Sequence, residues 1–250
     1  MRILVSNDDG YSADGIVALA AEIGKIADTD VIAPSHDCSG ISQALTLNRP
    51  LRPRYHKNGF ISIDGTPADC VHLGITGMLE QMPDMVVSGI NAGVNMGDDV
   101  LYSGTVAAAI EGRFLERPAI AFSVAQAHPQ HYDAAAMIAR DITRRVIEDE
   151  VEGGIILNVN IPDLPLEEIA GIKITRLGRR KKSKHVVRET DPRGKEIFWI
   201  GPPGDKADAS AGTDFHAVAN NFVSITPLTT DLCYYSKLES LAGLENRTKC

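Results

Sequence analysis

The sequence predicts a Rossmann-like three-layer α/β/α sandwich with a mostly parallel sheet, carrying a β-hairpin and a C-terminal arm. Three observations predict it: a strand–helix–strand unit opens the chain, short β-suited and helix-spaced runs alternate as far as Asn160, and the pattern turns β-rich beyond Ile161-Pro162. With 250 residues, 44% hydrophobic and 23% charged, the chain is long enough for one substantial core. The expected organisation is a single domain over 1–250, a projecting hairpin at about 180–201 and an oligomerisation arm at about 228–250.

The elements follow in order. Arg2 to Ser6 is a β-suited run, and Gly15 to Ile26 spaces Ile16, Leu19, Ile23 and Ile26 as a helix does. Asp30 to Ala33 is a second strand closed by Pro34, with a polar loop from Ser35 to Gln43. Such a βαβ unit favours a parallel sheet, whose ligands sit beyond the carboxyl ends of the strands. Phe60 to Ile63 reads as a strand, Pro67 to Met78 as a helix, and Met85 to Gly89 as a buried strand ending at Ile90-Asn91. A loop from Gly93 to Ser103 precedes the helix-prone run Thr105 to Arg113. Ala119 to Val124 is a strand, Tyr132 to Glu148 a helix and Gly154 to Asn160 a strand. Three further strands are expected at Lys173 to Leu177, Ser183 to Thr190 and Glu196 to Gly201. Asp191-Pro192-Arg193-Gly194 joins the last two as a type I turn. Phe222 to Pro227 is the last strand, with a short helix at Ser236 to Ala242 behind it.

Composition narrows the function. No apolar run is long enough to span a bilayer, and Met-Arg-Ile-Leu-Val-Ser lacks the apolar core of a signal peptide, so a cytoplasmic location without membrane contact is expected. Cys38, Cys70, Cys233 and Cys250 show no metal or disulfide spacing and read as reduced packing residues. A net charge of −8 gives no general attraction for long nucleic acid.

Asn7-Asp8-Asp9-Gly10 places two carboxylates where the first strand ends. Adjacent side chains of a continuing strand face opposite ways, so both converge only if the chain turns there, and a cation between them would account for the charge. The alternative is that one Asp caps a turn and the other is solvated. Asn91 and Ser39 follow two other strands of the same sheet. Carboxylates, an amide oxygen and a hydroxyl suit Mg²⁺ or Mn²⁺ better than a thiolate-seeking metal. Ser103-Gly104-Thr105 begins a helix, where free N–H groups favour a phosphate, although either hydroxyl could serve simply as an N-cap. An anion seat beside a cation seat is what phosphoryl transfer needs.

Asn7 to Tyr11, Ser39-Gly40, Gly65 to Val71, Ser88 to Gly93, Gly97 to Gly112 and Val223 to Leu228 together resemble the motifs of the SurE nucleotidases, nearly end to end. The resemblance implies one divalent ion per subunit, Mg²⁺ or Mn²⁺, held by Asp8, Asp9, Ser39 and Asn91, with Asn95, Ser103, Gly104 and Thr105 lining a phosphate pocket. It implies hydrolysis of nucleoside 5'-monophosphates, of 3'-monophosphates and in some members of short polyphosphate, with Asp8 and Asp9 catalytic. It also implies a homodimer or homotetramer, since in relatives the hairpin and C-terminal segment reach neighbouring subunits. Asn221 departs from the pattern, standing where many relatives carry Gly; Asn tolerates a left-handed backbone.

Two rivals are weighed. In one, Asp8 attacks phosphorus to give an aspartyl phosphate, although the pair here is adjacent and not spaced as Asp-x-Asp. In the other, the chain is a non-catalytic nucleotide-binding regulatory module, although no G-x-G-x-x-G follows the first strand. Three features remain outside the core reading. Asp98-Asp99 reads as loop structure without direct coordination. The basic run Arg176, Arg179, Arg180, Lys181, Lys182 and Lys184 reads as a solvated face, with a guide for polyanions as its functional alternative. None of the seven histidines has metal-ligand spacing; His36 is close to Ser39 in sequence, and His216 reads as structural or placed near an interface.

Overall fold

The computed structural model describes residues 1–244; the end of the expected C-terminal arm, 245–250 with Cys250, lies outside the described residues. The opening unit is as the sequence predicts. Strand β1 (Arg2–Ser6) leads to helix α1 (Asp14–Ile23), one turn shorter than its apolar spacing implied, and to β2 (Asp28–Pro34). The spacing continues to Ile26, but Gly24 caps the helix with its N–H on Ala20 O and the chain turns back towards the sheet.

A short strand that the sequence reading missed, β3 (Pro53–Tyr55), runs antiparallel to β4 (Ile61–Ile63). Three exposed residues at a sheet edge carry no apolar alternation, so there was no pattern to read. Helix α2 (Pro67–Leu73) starts in a full capping box, Thr66 with Asp69, and loosens into a wider turn through Met78. Strand β5 (Met85–Ala92) runs further than expected, through the cis Gly89–Ile90 peptide, so that Asn91 lies within the strand and not after it. A helical turn (Gly97–Leu101) precedes α3 (Gly104–Glu111), followed by β6 (Ala119–Val124), α4 (Tyr132–Glu148) and β7 (Ile156–Ile161).

The β-rich remainder holds β8 (Gly171–Ile174), β9 (Arg179–Arg180), β10 (Val187–Thr190), β11 (Glu196–Trp199), β12 (Lys206–Asp208), the unexpected helix α5 (Asp214–Ala219), β13 (Phe222–Leu228) and α6 (Leu238–Leu241). β10 and β11 pair as an antiparallel hairpin, and the Gly194 N–H donates to Asp191 O at 2.9 Å across the expected turn. Below that hairpin, β9 and β12 form a second antiparallel ribbon. Helix α5 had a legible start in Thr213, whose hydroxyl accepts the His216 N–H, but its six residues are too few for a helical period to show.

The main sheet has nine strands in the order β3-β4-β2-β1-β5-β6-β7-β13-β8. Strands β4, β2, β1, β5, β6 and β7 are parallel; β13 runs antiparallel to β7 and parallel to β8. Helices α1 and α4 cover one face over Ile3, Val5, Val87, Phe122 and Val159, while α2 and α3 cover the other over Leu4, Val86 and Ala121. The fold is thus an α/β sandwich of three layers.

This topology creates a crevice. From β1 the chain moves to one side through β2 and β4, then returns across to β5 on the other side. The order therefore reverses between β1 and β5, and a ligand site is expected beyond their carboxyl ends. Asp8, Asp9 and Asn91 lie there.

One contact fixes the geometry beneath it. Helix α1 approaches β5 so closely that a Cβ on Gly15 would stand 2.0 Å from the Ile90 carbonyl oxygen.

Candidate active site

The β1 end turns as the two carboxylates require. Asn7 donates from Nδ2 to Gly10 O at 2.9 Å, and Gly10 takes φ +100°, a conformation that glycine adopts without steric cost. Asp8 is buried, its carbonyl accepts the Cys38 N–H at 2.8 Å, and its Oδ1 accepts the Thr105 hydroxyl at 2.5 Å. Burial pushes the Asp8 carboxyl up from its ordinary range, against the opposing effect of the Thr105 hydrogen bond. Asp9 is half-buried and accepts the Ala92 N–H at 3.3 Å. Burial first, and then the charge of Asp8, pushes it up to about 6. Neither carboxylate has a cationic partner among the described residues.

Such a pair fits a divalent cation. The neighbouring donors are oxygens, and no group of three or more His, Cys, Asp or Glu side chains suited to a metal occurs among the described residues. Asn91 sits in β5 opposite Ser123 of β6 and donates from Nδ2 to Gly93 O at 2.8 Å, which leaves its amide oxygen for other use. Ser39 is exposed, and its hydroxyl donates to Asp37 Oδ1 at 2.6 Å. A hydroxyl that donates its proton keeps its lone pairs, so this bond does not prevent the oxygen from acting as a ligand.

Helix α3 begins against this pair. Ser103 is its N-cap, with Oγ accepting the Val106 N–H at 3.0 Å. Gly104 packs so closely that a Cβ there would stand 2.7 Å from Asp8 Cβ and 2.9 Å from its Oδ2. Of the two alternatives raised for this segment, the hydrogen bonds show the capping, at Ser103; the positive helix end also stands against the Asp8 carboxylate.

Asn95 is buried in a net that the sequence reading missed. Its N–H donates to Asn160 Oδ1 at 2.9 Å and its Nδ2 to Ser123 Oγ at 2.8 Å, while its carbonyl accepts from Asn158 Nδ2 at 2.8 Å and Asn160 Nδ2 at 3.0 Å. One signal could have found it. Asn158 and Asn160 alternate in a strand that is otherwise apolar and buried throughout, so both amides lie on one face of the sheet with no water to satisfy them.

The family comparison enters here. A family profile described as Survival protein SurE matches residues 3–184 of this chain. The chain belongs to the SurE family. A protein of Nitrosococcus oceani named 5'-nucleotidase SurE is 56% identical over 243 residues, 97% of each chain, and one of the same name from Methylococcus capsulatus is 55% identical over the same share. A crystal structure of SurE protein from Aquifex aeolicus is 43% identical and superposes with a TM-score of 0.86, covering 98% of this chain and 100% of that one.

The SurE motifs acquire physical content from the hydrogen bonds. In the Gly65 to Val71 motif, the buried Asp69 accepts the Thr46 N–H at 2.8 Å, the Thr46 hydroxyl at 2.6 Å and the Thr66 N–H at 2.9 Å. Thr66 in turn donates to Ala44 O at 2.6 Å, and Cys38 Sγ lies 3.7 Å from Gly65 O. This motif therefore secures the loop that leaves Ser39. Asn221, the departure from the SurE pattern, takes φ +63°, the left-handed conformation anticipated for it. His36 turns to Ser35, with Nδ1 3.1 Å from its Oγ, and His216 lies in α5, its N–H held by the Thr213 hydroxyl.

The basic run is not uniformly a solvated face. Arg176 pairs with Asp208 at 2.7 Å, Arg180 with Asp99 at 2.7 Å and Lys184 with Asp205 at 3.8 Å, so three of its six cations have carboxylate partners within the fold. Asp98 and Asp99 are correspondingly engaged, and their role as loop structure is explained by this partner.

Proposed function

We propose that the protein is a cytoplasmic, divalent-metal-dependent phosphomonoesterase that hydrolyses nucleoside 5'-monophosphates, and also 3'-monophosphates and short polyphosphate, to release phosphate. The observation that carries this reading is the pair of carboxylates Asp8 and Asp9, without a cationic partner among the described residues and set at the sheet's switch point directly against the N-terminus of α3. The relatives named 5'-nucleotidase SurE support it. No helix among the described residues is long and apolar enough to cross a membrane.

Asp8, Asp9, Ser39 and Asn91 would hold one Mg²⁺ or Mn²⁺. A divalent cation in that position supplies Lewis-acid polarisation of a phosphoryl oxygen and acidifies a water for in-line attack. The remaining work belongs to the chain. The N–H groups at the start of α3, with Ser103, Gly104 and Thr105, bind the phosphate together with Asn95, whose place is fixed by Ser123, Asn158 and Asn160. The Thr105 hydroxyl locks one Asp8 oxygen and leaves the other to orient the attacking water and take up its proton. Asp37, accepting the Ser39 proton, would direct the hydroxyl lone pairs towards the cation. Exposed Phe198, Trp199 and Ile200 on the hairpin and Leu232, Tyr234 and Leu238 on the arm support assembly into a homodimer or homotetramer through these two segments.

The direct test is phosphate release from a panel of nucleoside 5'- and 3'-monophosphates and short polyphosphate with Mg²⁺, Mn²⁺ or chelator. Metal-dependent release ranks the substrates. Tight nucleotide binding with no release under any metal would instead make the chain a binding module.

Gly104 gives a sharper test of the seat. A methyl group there meets the rigid Cβ of Asp8, so Gly104→Ala must shift the helix start by a sizeable fraction of an ångström. Turnover is expected to fall by about 10²-fold, since misplacement of that order costs as much in other sites. Steady-state rates near those of wild type would show that the α3 start does not hold the phosphate.

A further inference from the structure

The segment Gly97–Leu101, between Asn95 and the Ser103 cap, is gripped from the side of the hairpin. The Arg180 guanidinium donates from Nε to both oxygens of Asp99, at 2.9 and 2.7 Å, and its second nitrogen lies 2.7 Å from Oδ2. The Arg180 N–H donates to Asp98 Oδ2 at 2.6 Å, and the guanidinium stands 5.0 Å from the Phe215 ring centroid. Both partners are largely sheltered, with 18% of the Arg180 and 27% of the Asp99 side chain exposed. The fully buried Asp214 adds a second grip, accepting the Gly97 N–H at 2.7 Å and the Gly178 N–H at 2.8 Å. On its far side the same segment holds the loop beyond Ser39, because Ser42 donates from its N–H to Tyr102 O at 3.0 Å and from its hydroxyl to Leu101 O at 2.7 Å.

We propose that Arg180 and Asp99 form a positioning clamp for the phosphate seat, coupling the base of the hairpin to the segment that places Asn95 and Ser103. The inference rests on the nucleotidase reading for its effect on turnover. Neither residue touches the proposed reacting atoms, and neither belongs to the proposed ligand set. A fork of donors on one carboxylate fixes orientation as well as distance, which a single ammonium does not. Arg180 also belongs to β9, whose partner β12 closes the ribbon from which the hairpin springs, so a displacement of the hairpin bears directly on this pair.

A seat that is merely loosened loses binding common to substrate and transition state. The expected signature is a KM raised about tenfold, with kcat changed by less than about threefold. The experiment measures kcat and KM for a nucleoside monophosphate, and amide hydrogen exchange, in wild type, Arg180→Gln, Asp99→Asn, their double variant and Arg180→Lys. Both single variants should raise KM and speed exchange across 97–102, the double variant should be no worse than either single, and Arg180→Lys should recover only part of the loss. Thermal destabilisation with KM unchanged, or single effects that simply add, would overturn the clamp. Should wild type release no phosphate, the nucleotidase reading falls by itself; the clamp is then judged on exchange, and unaltered protection of 97–102 in Arg180→Gln overturns it.

Discussion

Asp9→Asn is expected to abolish metal-dependent phosphate release, by about 10³-fold or more, since charge stabilisation by a bound cation is worth several kcal/mol at the transition state. The same substitution is expected to stabilise the chelator-treated protein at pH 7.5. Burial and the neighbouring Asp8 raise the Asp9 carboxyl to about 6, so the folded chain holds this proton more tightly than the unfolded chain, where the ordinary value is 3.8. Between these values the folded state binds more protons. Stability therefore falls as pH rises through that window, and the deficit is fully present at pH 7.5. Asparagine keeps an oxygen for the Ala92 N–H and removes the charge. Thermal melts with chelator should place Asp9→Asn above wild type at pH 7.5, and the difference should close towards pH 3.5. A variant that melts lower at both pH values, or one that turns over at the wild-type rate with metal present, would contradict the site.

Gly15→Ala carries the largest expected loss of stability. An added Cβ would stand 2.0 Å from a backbone carbonyl, Ile90 O, with Tyr132 Cε1 at 3.1 Å. A backbone oxygen in a central strand cannot swing aside as a side chain can, so α1 must lift from the sheet. Overpacking of this kind costs about 2–3 kcal/mol, which in a chain of this size lowers the melting temperature by roughly 5–10 °C. Because the displaced peptide immediately precedes Asn91, turnover should fall as well. Gly243→Ala is the control, since its Cβ would meet nothing within 4 Å. Equal melting temperatures for Gly15→Ala and wild type would mean that the α1–β5 approach is looser than described.

Much of this was legible in the sequence because parallel strands buried on both faces must be apolar runs, and those runs stood out at β1, β5, β6 and β7. The carboxylate pair was legible for the opposite reason, as charge at the end of an apolar strand. What escaped notice had no period to show. β3, β9 and β12 are two or three residues long, and α5 has six. Partners distant in sequence escaped too: nothing local to Asp99 points to Arg180, 81 residues away, and nothing local to Thr46 points to Asp69. Asn91 was placed after its strand because Gly89 looked like an ending, whereas β5 accommodates a register shift against β6 between Ser88 and Asn91 and continues to Ala92.

Cys38 joins the two anchors of the Ser39 loop, giving its N–H to Asp8 O and resting its sulfur near Gly65 O. Burial first, then Asp37, Asp8 and Asp69, pushes its thiol up from the ordinary value, and burial does the same to Cys70. A thiol so close to the site yet so short of thiolate is a poor target for alkylating agents and peroxide. Treatment with an alkylating agent should therefore leave Cys38 and Cys70 unmodified and turnover intact, as peptide mapping beside a rate measurement would show. An oxidant would thus pass the Ser39 loop by, because the sulfur at its root is too deep and too fully protonated to react.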